Sequence, residues 1–289
     1  MELRQFKYFL KAAETLNFTE ASRQVFISQS TLSQQIGQLE IELGTPLFDR
    51  IGKRVALTEA GELFYDYALQ SVAKADAGRT MIRELNELNA GEIQIGVTYG
   101  LKSVLTPALI KFAKKYPNVK AKVYFATTDE LIEKLNALEL DFILTFEEDH
   151  LSDTFYLQPL FESRMCLITS KKSDIAGLKA IKLKAIEDLP LVLPATGFST
   201  RQFVNRIFKE ASISPAVSME INDIPTLLEL VKTGMWHTIL AQTTVGETAG
   251  LCNVPIIDYE VPRKAMIISL KEMYQKRAVM EFYKILLNK

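Results

Sequence analysis

The chain opens with apolar residues at helical spacing, which predict an amphipathic first helix. These positions are Leu3, Phe6, Phe9, Leu10 and Ala13. The segment from Asn17 to Thr19 breaks the pattern, and Thr19 is a suitable N-cap for a short second helix. Ser28 follows a tight turn and can cap a third helix that ends near Leu43, before Gly44.

The third predicted helix has an apolar face and a polar face. The apolar stripe, which should be buried, consists of Leu32, Ile36, Leu39 and Leu43. The opposite face carries Ser30, Gln34, Gly37 and Ile41, with Gln29 and Ser33 beside it. Glutamine can read adenine in the major groove, and serine can reach base edges or phosphates. A short turn followed by such a helix is typical of a helix-turn-helix; the alternative is an ordinary hydrated helix face.

A short hairpin is predicted next, with strands at 47–50 and 54–57 around a turn at 51–53. Arg50, Lys53 and Arg54 lie near its tip. Beside a recognition helix such a hairpin is a wing, whose cations can contact phosphates or enter the minor groove. Residues 1–57 hold seven Lys and Arg against six Asp and Glu, so charge alone does not select DNA binding over a hydrated surface.

A long helix without proline should follow, from a cap at Thr58 to about Leu88. Thirty residues would make a rod of ~45 Å. Residues at a coiled-coil-like spacing form a seam of Phe64, Ala68, Ser71, Ala75, Gly78, Ile82 and Leu85. We expect a second copy to cover this seam, so that a two-fold dimer presents two recognition helices to a dyad-symmetric site. The alternative is a surface helix of a larger domain.

The rest of the chain alternates strand and helix patterns, which predicts mainly parallel sheets with helices on both faces. The predicted strands are 92–97, 119–125, 141–146, 165–168, 191–193 and 265–270. The predicted helices are 103–115, 129–138, 198–211, 224–233 and 276–287. Sheets of this kind bind ligands beyond the carboxyl ends of their strands.

Two strand-to-helix corners combine glycine, hydroxyl groups, a cation and a helix N-terminus. The first corner holds Tyr99, Gly100, Lys102 and Ser103, and the second holds Thr196, Phe198, Ser199, Thr200 and Arg201. Thr127 and Thr128 precede a further helix and could add hydroxyls. Helix N-termini bind anions, so corners that face one cleft predict a site for a small anion such as a carboxylate. The alternative is that these hydroxyls are only N-caps.

Composition narrows the classes of function. The 289 residues include 34 Lys and Arg against 35 Asp and Glu, which excludes a polybasic protein but not a local basic face. Two cysteines, Cys166 and Cys252, cannot form a disulfide framework, and two histidines leave little for a metal or a catalytic site. The N-terminus is unlike a signal peptide, and no apolar run approaches the ~20 residues of a membrane span. We expect a cytoplasmic protein without a cofactor, a metal site or a membrane partner.

One run of residues covers the N-terminal region in order and without gaps. It contains Phe18-Thr19-Glu20-Ala21-Ser22, Ser28-Gln29-Ser30-Thr31-Leu32-Ser33-Gln34-Gln35-Ile36, Leu47-Phe48-Asp49-Arg50 and Leu57-Thr58-Glu59-Ala60-Gly61. This run strongly resembles the LysR-type transcriptional regulators. The resemblance implies an α+β multidomain protein: a winged helix-turn-helix at 1–58, a linker and dimerisation helix at 59–90, and an effector-binding domain at 91–289. It also implies that Gln29, Ser30, Ser33 and Gln34 face the major groove, and Lys53 and Arg54 the backbone or minor groove.

For residues 91–289 the resemblance implies a two-lobed α/β domain like the type 2 periplasmic binding proteins. The lobes would be 91–162 with 267–289, and 163–266, with the effector between the two corners. Many members carry Arg or Lys at the positions of Gln34 and Gly37. The missing cations should weaken nonspecific phosphate affinity and its salt dependence. The cysteine spacing differs from that of the peroxide-sensing members, which argues against a redox switch.

We therefore expect a regulator that binds double-stranded DNA as a homodimer or a dimer of dimers. An effector would shift the population of lobe arrangements by closing or reorienting the lobes, which changes how dimers pair, the spacing of the recognition helices and the bend of the DNA. The alternative is a cytoplasmic enzyme or solute-binding module, but the sequence lacks a Gly-x-Ser-x-Gly elbow, a phosphate loop and a His/carboxylate cluster. We expect His237 to be a hydrogen-bonded structural residue, and Trp236 to fill part of the cleft or an interface.

Overall fold

The structure is a computed structural model that describes residues 1–51, 54–86, 91–147, 151–245, 248–259 and 261–287. At 50–51, 54 and 83–86 it describes the backbone alone. The chain divides into two compact units, Met1–Asn86 and Glu87–Lys289. Within the described residues, no helix combines the length and the apolar character needed to cross a membrane.

The N-terminal unit contains three short helices, a hairpin and one long helix. These elements are α1 (Leu3–Thr15), α2 (Phe18–Gln24), α3 (Gln29–Leu43), β1 (Phe48–Ile51), β2 (Arg54–Leu57) and α4 (Glu59–Asn86). Their shared core includes the fully buried side chains of Phe9, Leu32, Ile36 and Leu39. The predicted three helices, hairpin and long helix are therefore confirmed in order and type.

Side-chain caps set the helix starts. The Oδ1 atom of Asn17 accepts hydrogen bonds from the backbone N–H groups of Thr19 and Glu20, at 3.0 and 3.1 Å. The expectation that Thr19 caps α2 is wrong, because Asn17 already satisfies two of the free N–H groups at this end. Ser28 caps α3 as predicted, with Oγ accepting from the Thr31 N–H at 3.1 Å. The helix ends at Leu43, and Gly44 caps it with φ of 71°.

The long helix α4 packs on its own unit along its first half. Thr58 caps it as predicted, with Oγ1 accepting from the Gly61 N–H at 3.0 Å. The ring of Phe64 meets that of Phe6 on α1 at 5.3 Å, and Ala68 is fully buried. The expectation that a second copy covers the whole seam is therefore wrong at Phe64 and Ala68, which pack inside their own unit. The later seam residues Ser71, Ala75, Gly78 and Ile82 are exposed, whereas the side chain of Leu85 and the predicted end near 88 lie outside the described residues.

The described residues of the second unit form three sheets with helices packed on them. Its strands are β3 (Gly91–Val97), β4 (Val119–Phe125), β5 (Phe142–Phe146), β6 (Phe155–Ser163), β7 (Met165–Ser170), β8 (Leu191–Pro194), β9 (Val217–Ile221), β10 (Thr238–Ala241), β11 (Leu251–Pro255) and β12 (Arg263–Leu270). Its helices are α5 (Lys102–Lys115), α6 (Thr128–Asn136), α7 (Leu183–Ile186), α8 (Ser199–Glu210), α9 (Ile224–Lys232), α10 (Gln242–Val245) and α11 (Arg277–Leu287).

The sheets are more mixed than the expected parallel ones. The five-stranded sheet has the order β4-β3-β5-β12-β6, in which β3 runs parallel to β4 and β5 but β12 runs antiparallel to β5 and β6. The three-stranded sheet β10-β7-β11 is antiparallel, and β8 pairs with β9 in parallel. The expectation of mainly parallel sheets is wrong: β6, β10 and β11, which were not predicted, each form an antiparallel pair, and the predicted strand β12 also runs antiparallel to β5.

We call the five-stranded sheet with α5, α6 and α11 the first lobe, and β7 to β11 with α7 to α10 the second lobe. The ladder between β6 and β12 begins at the pair Ser163 and Arg263. The chain therefore returns to the first lobe before Arg263, rather than at the expected position 267. This return places the side chain of Arg263 beside the second lobe.

Candidate DNA interface and effector cleft

The first turns of α3 expose a polar edge, residues 28–34, which we call the leading edge. Gln29, Ser30 and Gln34 are exposed, and Ser33 is half-exposed. The Ser28 Oγ atom lies 2.8 Å from Ser30 Oγ. Leu32, Ile36 and Leu39, on the reverse face, have no exposed area, so the apolar face anchors the helix and holds the leading edge in solvent.

Gly37 continues this exposed face one turn further on. A Cβ atom added there would meet no atom within 4 Å, so packing inside the described residues does not require glycine. Ile41, one turn later, is 81% exposed. The outer face of α3 thus changes from polar at its N-terminal end to small and apolar further along.

Glu40 fixes the wing relative to α3, and sequence reasoning missed it. Its Oε1 atom accepts hydrogen bonds from the backbone N–H groups of Leu47 and Phe48, at 2.8 and 3.2 Å. Phe48 is buried, with its ring 5.5 Å from that of Phe9. A glutamate on the polar side of a helix gives no signal in a hydrophobic pattern, because its partner atoms belong to the backbone.

The wing is an antiparallel hairpin, as predicted. Its register pairs Phe48 with Leu57 and Ile51 with Arg54. Lys53, and the side chains of Arg50 and Arg54, lie outside the described residues, so their contacts with DNA stay a prediction.

Seven of the predicted effector residues line one narrow cleft between the lobes. They are Tyr99, Gly100, Thr127, Thr128, Phe198, Ser199 and Thr200. Apolar side chains of Ile224 and Leu240 complete part of the lining. The cleft volume is about 20 Å³, which is space for a single water molecule. The two corners therefore share one cleft, and that cleft is closed.

The expectation that Arg201 adds positive charge to this cleft is wrong. Arg201 is buried, and its guanidinium donates hydrogen bonds to Glu220 Oε1 at 2.7 Å, Pro194 O at 3.0 Å and Asn205 Oδ1 at 2.8 Å. Because these partners lie in the second lobe and one is a carboxylate, the charge is used internally. The residue holds the start of α8 against β9.

Three other corner residues lie outside the cleft lining. The Lys102 ammonium is 5.3 Å from the centre of the Tyr99 ring, at the rim of the first corner. Ser103 donates a hydrogen bond to the backbone oxygen of Thr243 and borders a separate cavity of about 450 Å³. Thr196 is exposed in the second corner. Lys102, Ser103 and Thr196 are therefore near the corners without lining the space between them.

Two cleft hydroxyls already have internal partners. Thr127 caps α6 in a reciprocal pair with Glu130, and the backbone and hydroxyl hydrogen bonds from Thr127 hold the Glu130 pKa below its usual value. The Thr128 hydroxyl lies 2.8 Å from that of Thr145. The N-cap alternative thus describes Thr127 well.

Arg263 supplies the cation that sequence reasoning assigned to Arg201. Its guanidinium donates to the hydroxyls of Thr200 at 3.1 Å and Ser199 at 3.2 Å, both at the start of α8. The same group stacks over the ring of Phe146, 4.4 Å from its centre. Arg263 is buried, and it lies at the first residue of β12, outside the strand that the sequence predicted.

The remaining singled-out residues belong to the second lobe. His237 is buried, its Nδ1 atom lies 2.8 Å from Thr169 Oγ1, and burial lowers its pKa; the structural interpretation is confirmed. Trp236 packs against the apolar cluster of the second lobe and does not line the cleft. Burial raises the pKa of the Cys166 thiol to about 11, and Cys166 pairs across the sheet with Pro255 rather than Cys252.

Comparison with known proteins agrees with this architecture. Residues 3–62 match the sequence model of the bacterial regulatory helix-turn-helix proteins of the lysR family, and residues 86–289 match the LysR substrate binding domain. The transcriptional dual regulator GltC of Bacillus subtilis is 29% identical over 291 residues, which cover 100% of this chain and 97% of GltC.

Two solved structures share the fold. Full-length CbnR complexed with its target DNA has 24% identity and a TM-score of 0.68, with 99% of each chain covered. The CcmR regulatory domain of Synechocystis PCC6803 in complex with 2-PG has 19% identity and a TM-score of 0.62, covering 68% of this chain and 96% of that domain.

A helix-turn-helix unit followed by a two-lobed substrate-binding unit defines a class of bacterial regulatory proteins. Within that class, the chain belongs to the LysR family of transcriptional regulators.

Proposed function

We propose that this protein binds a dyad-symmetric DNA site as a homodimer or a dimer of dimers and responds to a small anionic effector held between its lobes. The observation that carries the proposal is the leading edge of α3, whose polar residues are held in solvent because Leu32, Ile36 and Leu39 on the reverse face are fully buried. In a helix-turn-helix, this end of the recognition helix enters the major groove.

The DNA contacts divide by chemistry. Gln29, Ser30, Ser33 and Gln34 contact base edges, and Arg50, Lys53 and Arg54 contact the backbone or the minor groove. The Gln29 and Gln34 side chains make no hydrogen bond to another described residue, so both amides are available to bases. The likeness to CbnR, which was solved on its target DNA, supports DNA binding by this fold.

A partner copy would cover the exposed face of α4. Leu63, Tyr67 and Met81 are 66%, 71% and 45% exposed, and they share one stripe at intervals of four and fourteen residues. Such spacing is that of a coiled-coil seam. We propose this stripe as the dimer contact, next to the seam that the sequence indicated, because α1 already occupies Phe64 and Ala68.

The effector enters when the lobes separate. A cleft of about 20 Å³ leaves no room for an organic anion, so the lobes must separate to admit one. The N-terminus of α8, with the Ser199 and Thr200 hydroxyls held by Arg263, forms the anion-binding side. An effector that prefers the open arrangement shifts its population and so changes how dimers sit on DNA. CcmR, solved with 2-PG, supports a ligand in this domain.

The proposed role is regulatory rather than catalytic, and cytoplasmic. Members of the family are transcriptional regulators, which supports both statements.

A mobility-shift titration tests the DNA arm. The DNA is the fragment upstream of the gene, at low salt, and the variants are Gln34→Ala and the matched control Gln202→Ala, an exposed glutamine on α8. We expect wild type and Gln202→Ala to bind alike, and Gln34→Ala to bind about tenfold more weakly, the loss of one base contact. Absence of any shifted band, or equal binding by all three proteins, would contradict the proposal.

A further inference from the structure

Phe26 is an aromatic side chain that the folded unit leaves in water. It is 93% exposed, the largest exposed fraction among the large hydrophobic side chains of the described residues. Its neighbours Val25 and Ile27 are half-buried and pack against the core of the N-terminal unit. The chain therefore turns its apolar side chains inward on either side of Phe26 and turns this ring outward.

The backbone at Phe26 is strained as well. Its φ of 58° lies in the left-handed region that favours glycine. The Ile27 N–H donates to Ser22 O at 3.0 Å and the Phe26 N–H donates to Arg23 O at 3.2 Å. These two bonds form a Schellman motif that closes α2, in which glycine is the usual residue at the position of Phe26. Strained, exposed residues of this kind concentrate at binding sites.

The position of Phe26 indicates what covers the ring. Ser28, the cap of the recognition helix α3, is two residues further on, so the Cα atoms are at most about 7 Å apart. The exposed groups around the ring in sequence are polar. They are Arg23, whose side chain is 75% exposed and lies 3.8 Å from the Glu20 carboxylate, then Gln29 and Ser30. A lone ring among such groups suits the polar, cationic interface that proteins make with DNA better than an apolar protein contact.

Duplex DNA offers a phenyl ring a specific apolar partner. The C5-methyl group of thymine lies in the major groove, where phenylalanine makes one of the recurring apolar contacts to bases. The N-terminal end of a recognition helix, and the turn that leads into it, lie at the edge of that groove.

We propose that Phe26 is a specificity-determining DNA contact whose ring packs on a thymine methyl group at the edge of each half-site. This inference rests on the proposed DNA binding and deepens it. The contact is apolar, so it adds preference for thymine without adding a phosphate contact.

The test uses the full-length protein and the variant Phe26→Asn. Asparagine accepts the left-handed backbone, so the variant should melt at or above the wild-type temperature. The matched control is Leu16→Asn, which also has a positive φ, 48°, and an exposed side chain, but lies at the end of α1. Each protein is titrated on the upstream fragment and on the same fragment amplified with dUTP in place of dTTP, which lacks thymine methyl groups.

We expect Phe26→Asn to bind the thymine fragment about fivefold to tenfold more weakly than wild type or Leu16→Asn, with the same salt slope. Replacing thymine by uracil should reduce the DNA affinity of the wild type by a factor at least about three times larger than for Phe26→Asn. This difference measures the coupling between the ring and the methyl group. Equal binding of wild type and Phe26→Asn would overturn the inference and leave the proposed function standing. Weaker binding without coupling to uracil would overturn the thymine assignment. Failure of wild type to bind at all would instead refute the proposed function.

Discussion

Glu40 joins the recognition helix to the wing, and its removal should destabilise the N-terminal unit. The substitution Glu40→Ala deletes two hydrogen bonds from backbone N–H groups, at 2.8 and 3.2 Å, to one carboxylate oxygen. A buried bond to a charged group contributes about 1.5–3 kcal/mol, and water reaches the half-buried Glu40, so we expect a loss of about 2 kcal/mol in all. Leu47 and Phe48 are buried, so their N–H groups gain no full replacement from water.

Hydrogen exchange of these two amides measures the effect where it occurs. A loss of 2 kcal/mol corresponds to exchange about 30-fold faster at Leu47 and Phe48. The matched control is Glu42→Ala on the same helix. Glu42 is exposed, and its partner among the described residues is the N-terminal ammonium group, an exposed contact of little value. If exchange at Leu47 and Phe48 were unchanged in Glu40→Ala, or equally fast in Glu42→Ala, the assignment of Glu40 as the link would be refuted.

Three further predictions concern single residues. Gly37→Ala should stabilise the N-terminal unit by about 1 kcal/mol in thermal denaturation followed by circular dichroism, because a Cβ meets open space there; a destabilised variant would contradict this. Arg201→Ala should lower the free energy of unfolding of the second lobe by about 2 kcal/mol, because it removes the donor to Glu220 and to the Pro194 carbonyl. The fluorescence of Trp236, the single tryptophan of the chain, reports this unfolding. An unchanged midpoint of denaturation would refute the prediction. Burial lowers the pKa of His237 below its ordinary 6.5, so the unfolded state takes up a proton at a higher pH than the folded state does. The stabilising contribution should therefore be complete above pH 6.5 and decline as the pH falls below it. His237→Gln should remove this pH dependence from the free energy of unfolding.

The helices of the N-terminal unit were predictable because local sequence decides them. Ser28 and Thr58 cap their helices from hydroxyls that the sequence places directly before an apolar periodic run. The misplaced cap of α2 shows where this reasoning reaches its limit. Asn17 and Thr19 are both good caps, and burial of Phe18 as the first residue of the helix selects the earlier one.

The missed strands have a different cause. β6 contains Pro159, which a central strand does not tolerate, but β6 lies at the edge of its sheet, where a missing N–H costs little. β10 has four residues, all buried, so it shows no alternation to recognise. Strand order and direction depend on contacts between distant segments, such as Arg263 with Ser163, that no local pattern encodes.

Arg201 and Arg263 show why a charge near a helix start is a weak guide to a ligand site. Arg201 satisfies the sequence rule, since it lies in the first turn of α8 beside Ser199 and Thr200, yet its guanidinium turns inward to Glu220. Arg263, which is 62 positions further along the chain, brings the cation to those hydroxyls because the five-stranded sheet ends there. The position of a residue along a helix fixes its Cα atom, whereas the nearest carboxylate determines where the guanidinium of a long side chain lies. Arg263 therefore brings the positive charge next to the Ser199 and Thr200 hydroxyls, so Arg263→Met should weaken the binding of a carboxylate effector, whereas Arg201→Ala should destabilise the second lobe.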